Sequence, residues 1–132
     1  MNDADTPSER PAVYALRLQE RAIRDTNIAF VRLAETVSLD IAKQWRAGVR
    51  EAIAGLSSNP RRYPLVTEKF TNEVRHILYR RPGSKAAYRI VFAITGETAS
   101  SQDAPTVSIL HVRHASARPI TRKEARQIES EL

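Results

Sequence analysis

The sequence predicts an α+β fold, in which an N-terminal strand and an α-helical hairpin pack on a mainly antiparallel sheet of three to four strands, with a short C-terminal helix. Three observations predict it. Apolar residues recur at intervals of three and four between Glu20 and Leu56, as on one face of a helix. Three later segments between Glu73 and His114 instead read as strands carrying basic side chains. Between these regimes lies Ser57-Ser58-Asn59-Pro60, where turn formers meet a residue that cannot continue a helix.

Residues 1–11 are polar, contain Pro7 and Pro11 and show no periodicity, so they are expected to form a disordered tail ahead of one domain spanning 12–132. Ala12 to Leu18 alternates, with Tyr14, Leu16 and Leu18 on one side, as in a short strand. From Glu20 the residues Ile23, Asn27, Phe30, Leu33, Ala34 and Val37 follow helical spacing. Ser38, with Asp40 just after it, then reads as an N-cap that ends one helix and starts the next. The second helix has one apolar stripe from Ile41 through Trp45 and Val49 to Leu56. Two such helices joined by a short link make a hairpin whose apolar faces need a cover, and the sheet supplies it.

The sheet's expected strands are Glu73 to Arg80, Ala87 to Ile94 and Val107 to His114. A turn at Arg81 to Lys85 joins the first two, and a polar loop from Thr95 to Pro105 precedes the third. On the middle strand Tyr88, Ile90, Phe92 and Ile94 share the core-facing side, while Arg89, Val91 and Ala93 face the other way. Thr121 with Glu124 three residues later forms a capping-box pattern that starts the last helix.

Composition narrows the function classes. The chain has 132 residues, a size that suits one core, and no run near the ~20 apolar residues needed to span a bilayer. Its first residues lack the pattern of a secretory signal, so a cytoplasmic protein without a membrane partner is expected. With no cysteine, disulfides, thiolate catalysis and cysteine-based zinc sites are excluded. Strand alternation places His111 and His114 on opposite faces, so no metal site and no cofactor are expected. Residues 1–60 hold 8 Lys and Arg against 8 Asp and Glu, but residues 61–132 hold 13 against 7. The net charge of +6 thus resides in the half that carries the strands, which favours an anionic partner there.

The order of strand, helical hairpin, proline-bearing loop and three-stranded meander resembles the RelE/ParE toxin superfamily. Local sequences carry the resemblance from about residue 12 to 119: Trp45, Ile53-Ala-Gly-Leu56, Asn59-Pro-Arg-Arg-Tyr-Pro64, Val74-Arg75, Tyr88-Arg-Ile-Val-Phe92, Ile109-Leu-His-Val-Arg-His114 and Arg118. The resemblance implies the toxin of a type II toxin–antitoxin module, held in a hetero-oligomer with a cognate antitoxin. Some members of the superfamily poison DNA gyrase; others are metal-independent endoribonucleases that cut mRNA on the ribosome.

For the ribonuclease, the resemblance implies Arg89 as the phosphate-stabilising cation, His114 as acid or base and Arg118 as a supporting cation. Arg75, Arg80, Arg81 and Arg113 are candidates for binding the target or nucleic acid. Structural roles stand beside these, since Arg89 can pair with a carboxylate and His114 can cap its strand. The chain departs from the RNA-cleaving pattern, having no lysine between residues 73 and 81 and no tyrosine after Tyr88. The ParE-like reading, gyrase poisoning, is therefore preferred. Two further alternatives are a non-toxic basic module that binds nucleic acid and an inactive toxin relative, and whether the chain is an enzyme stays open.

Overall fold

A computed structural model describes residues 13–96 and 104–132 of the chain, so the expected tail and most of the Thr95–Pro105 loop lie outside the described residues. The elements run β1 (Ala15–Leu18), α1 (Glu20–Thr36), α2 (Leu39–Ala54), two 3-10 turns (Gly55–Ser57 and Pro60–Arg62), β2 (Val74–Arg80), β3 (Ala87–Thr95), β4 (Thr106–His114) and α3 (Arg122–Glu129). One four-stranded sheet has the order β1-β4-β3-β2. Its pairings are antiparallel except for β1, which runs parallel to β4 with Leu16 opposite Val107. The α+β architecture expected from the sequence is the one observed. No helix among the described residues is long and apolar enough to cross a membrane.

Local chemistry sets the boundaries. The Ser38 hydroxyl accepts the Ile41 N–H at 3.1 Å, satisfying one of the donors left free at the start of α2, so the hairpin turns where the sequence places its cap. Thr121 and Glu124 close a reciprocal capping box at the start of α3. Gly48 lets α2 approach β2 closely. A Cβ there would lie 1.7 Å from the Tyr79 hydroxyl, so a side chain at this position would displace the ring.

The sheet is buried on both faces. Towards the hairpin, Trp45, Val49 and Ile53 of α2 pack on Ile90, Phe92 and Ile109. Away from it, Val74, Val91, Ala93 and Leu110 meet Ile120, Ala125 and Ile128, which come from the C-terminal segment and α3. The alternation on β3 is as expected, but the side shared by Arg89, Val91 and Ala93 is a second core. One irregularity matters for the site. The register shifts from Val91 opposite His111 to Phe92 opposite Ile109, so Leu110 is the extra residue of a β-bulge.

Candidate functional site

Arg89 projects into the second core, with a relative exposure of 9%. Its Nη1 and Nη2 donate to the two oxygens of Glu68 at 2.6 and 2.8 Å, a bidentate pair, and its Nε donates to His76 Nδ1 at 2.9 Å. Glu68 also accepts the Ile120 N–H at 3.1 Å, so the same carboxylate ties the loop before β2 to the approach of α3. The Arg89 hydrogen bond holds the Glu68 carboxyl down to about 2, against the upward push of burial. Burial, followed by the Arg89 charge, lowers the pKa of His76. Arginine, glutamate and histidine thus form a closed polar knot.

His114 lies on the other side of the sheet. Tyr88 pairs with His114 and Arg89 with Arg113 in the β3–β4 register, so the alternation of successive residues sends Arg89 and His114 to opposite faces. The His114 ring meets Tyr88 edge-on, centroids 5.1 Å apart, and Tyr88 meets Trp45 edge-on at 4.9 Å. His114 Nδ1 accepts the Ser116 N–H at 3.1 Å. These residues border a cleft of about 220 Å³ between α1 and the sheet, lined also by Asp25, Ile28, Ala29, Arg32, Val112 and Arg113.

Asp25 explains part of that geometry. Its carboxylate lies 2.6 Å from His111 Nδ1 and accepts the Val112 N–H at 3.1 Å. The bulge at Leu110 lies before both histidines, and the register from His111 to His114 is unbroken, so the pleat still places the two on opposite sides of β4. His111 meets Asp25 directly, while His114 borders the cleft that Asp25 also lines. Among the described residues no three His, Asp or Glu side chains are grouped to hold a metal.

The other arginines divide sharply. Arg75 donates to Glu73 at 2.8 Å and to the Tyr63 carbonyl at 2.7 Å, so it stitches the 61–63 segment to β2. Arg113 donates to the Arg118 carbonyl at 2.7 Å, and Arg118 pairs with Glu124 at the start of α3. Arg80 and Arg81 stand near the β2–β3 turn, where Arg81 donates only to the adjoining Pro82 carbonyl. Of the predicted cations, only these two have neither a carboxylate partner nor a carbonyl partner beyond the adjoining residue among the described residues.

A group of exposed apolar side chains lies on the outside of the hairpin and at the end of β1, and the hairpin is where the sequence leads one to expect an acidic-tailed antitoxin. Leu18, Ile23, Ile28 and Val31 are between 45% and 57% exposed. Two recesses run between them, one bordered by Arg46 and Arg50, the other by Arg32 and Glu35. Exposed apolar side chains grouped beside cations mark an interaction surface. Its signal was present in the sequence, since Ile28 and Val31 fall outside the apolar stripe of α1.

A family described as the ParE toxin of type II toxin–antitoxin systems, parDE, matches residues 16–119. The chain belongs to the ParE toxin family. Among solved structures, this ParE-type chain is similar to one described as the chromosomal ParDE toxin–antitoxin system from P. aeruginosa. The identity is 14% and the TM-score 0.59, over 77% of this chain and 96% of that one, which is a likeness of fold. No curated protein matches the chain. For a ParE-family toxin, both the polar knot at Arg89 and the His114 cleft lie within the matched span.

Proposed function

We propose that this ParE-type toxin of a type II toxin–antitoxin system arrests growth in the cytoplasm by poisoning DNA gyrase. The observation that carries this reading is the commitment of Arg89. RNA cleavage through a 2′-hydroxyl calls for an acid, a base and a cation converging on one phosphate. Here the Arg89 guanidinium is bonded on three nitrogens by Glu68 and His76, on the face opposite His114. Arg118, the third residue of that set, is paired with Glu124. Arg80 and Arg81, at the exposed turn, are the cations offered to the target.

Neutralisation belongs to the same reading. A cognate antitoxin with apolar anchors and acidic neighbours suits the outer face of the hairpin, where Ile23, Ile28 and Val31 stand among arginines. The match to a family defined by parDE systems supports such a partner.

The test is a growth and target assay. Cells producing the chain alone should stop dividing, show gyrase-dependent DNA breaks and keep their transcripts intact. The product of an adjacent gene should relieve the arrest and co-purify with the toxin in moderate salt. Transcripts cut within codons, with DNA undamaged, would overturn gyrase as the target.

A further inference from the structure

We propose that the cleft between α1 and the β3–β4 end of the sheet is a phosphate-binding site, in which Arg32, Tyr88 and His114 hold the oxygens of a single phosphate group. The inference rests on which donors in this protein are still free. Arg32 has no ion-pair or hydrogen-bond partner among the described residues, in contrast to Arg75, Arg89, Arg113 and Arg118, each of which is spent on a carboxylate or a carbonyl. The Tyr88 hydroxyl likewise has no hydrogen-bond partner among the described residues. His114 accepts the Ser116 N–H on Nδ1, which in the neutral ring leaves the proton on Nε2 as a donor.

These three donors border one recess. They come from three separate elements, α1, β3 and β4, an arrangement that suits the several oxygens of a tetrahedral phosphate. A planar carboxylate would be met by a fork from one side. Ile28, Ala29 and Val112 supply apolar lining, which limits the water competing for those hydrogen bonds. Among the described residues the only acid lining the recess is Asp25, and its carboxylate is engaged by His111 and the Val112 N–H.

The edge-on contacts of Trp45, Tyr88 and His114 hold the two ring donors in place before any ligand arrives. Preorganisation of this kind lowers the ordering cost of binding. Two sources can supply the phosphate, a free nucleotide or the DNA backbone. The proposal is independent of gyrase as the target, because it concerns the ligand of the cleft alone.

Isotope-labelled full-length protein, titrated separately with inorganic phosphate, adenosine monophosphate and a short DNA duplex, tests it. The side-chain resonances of Arg32 and His114 should shift together and saturate. Arg32→Ala should weaken binding about tenfold, as expected for losing a hydrogen-bonded charge, and Tyr88→Phe should weaken it a few-fold. Arg24→Ala, on an exposed cation of the same helix outside the cleft, should leave it unchanged. Shifts with phosphate and the nucleotide support a free-ligand site; shifts with the duplex alone support a contact to the DNA backbone. The proposal is overturned if no probe gives a saturable shift at His114. It is equally overturned if Arg24→Ala weakens binding as much as Arg32→Ala, which would mean diffuse charge attraction. Both arginines are exposed, so an unchanged amide spectrum confirms that the variants fold.

Discussion

The two faces of the sheet are closed by different physics. On the hairpin side, Phe92, Ile90 and Ile109 are fully buried under α2, and apolar area removed from water does most of the holding. On the α3 side the apolar layer is thinner, and carboxylates tie it down. Glu68 bridges Arg89 and the Ile120 N–H, while Glu129 accepts the backbone N–H groups of Thr71 and Asn72 at 3.0 and 2.8 Å. A helix of 8 residues offers too little apolar stripe to hold itself in place, so polar clasps supply the rest. One face should therefore respond to volume and the other to charge.

Phe92→Ala gives the largest expected effect. It empties the middle of the hairpin-side core and should cost about 3–5 kcal/mol in chemical denaturation, with no change in the shape of the acid-stability curve. Arg89→Met should cost about 3 kcal/mol, because it strands the Glu68 carboxylate inside the second core. The double replacement Glu68→Leu with Arg89→Met should recover most of that loss, since an apolar pair leaves no buried charge. If the double variant is no better than Arg89→Met, the α3 face is not governed by charge and the contrast fails.

Acid titration separates the faces next. Glu68 has a folded pKa of about 2, below its ordinary 4.5, so the unfolded chain binds the extra proton first as the pH falls. The stability due to the pair is present above about pH 4.5 and is lost progressively towards about pH 2. Glu68→Gln should flatten the curve in that window, and a curve unchanged by the substitution would remove Glu68 as the clasp. Smallest of all, Thr121→Ala should cost about 1 kcal/mol by opening the capping box of α3. Hydrogen exchange should then show faster opening of α3 than of α2.

The sequence disclosed what is encoded locally. Ser38 and Thr121 announced their caps, and the stripe through Trp45 and Val49 announced the buried side of α2, because these signals lie within a turn or two of the residues they control. The alternation of β3 likewise separated Phe92 from Arg89. What covers the Arg89 side was not legible, because Glu68 and Ile120 reach it from segments 21 and 31 residues away. Val91 and Ala93 did carry a hint, since apolar residues on both sides of a strand imply cover on both.

The candidate residues show the same limit. Arg89 and His114 are close in register, yet the pleat sends them to opposite sides. The bulge at Leu110 had no marker such as glycine, so the shift of register in β4 ahead of His111 was not legible. Arg32 went unnoticed because Tyr88 and His114, which border the same recess, belong to strands distant in the sequence.

The parallel pairing of β1 with β4 bears on the order of events during synthesis. Ala15 finds its partner at Thr106, so one edge of the sheet cannot form until nearly the whole fold has been made. Closing so long a loop is slow compared with folding the hairpin, which needs only its own neighbouring residues. As translation proceeds from the N-terminus, the hairpin emerges with the apolar side of α2 uncovered, and the sheet that seals it arrives later. The nascent chain thus passes through a stage that has the helices but lacks the finished surface on which any action against a target depends.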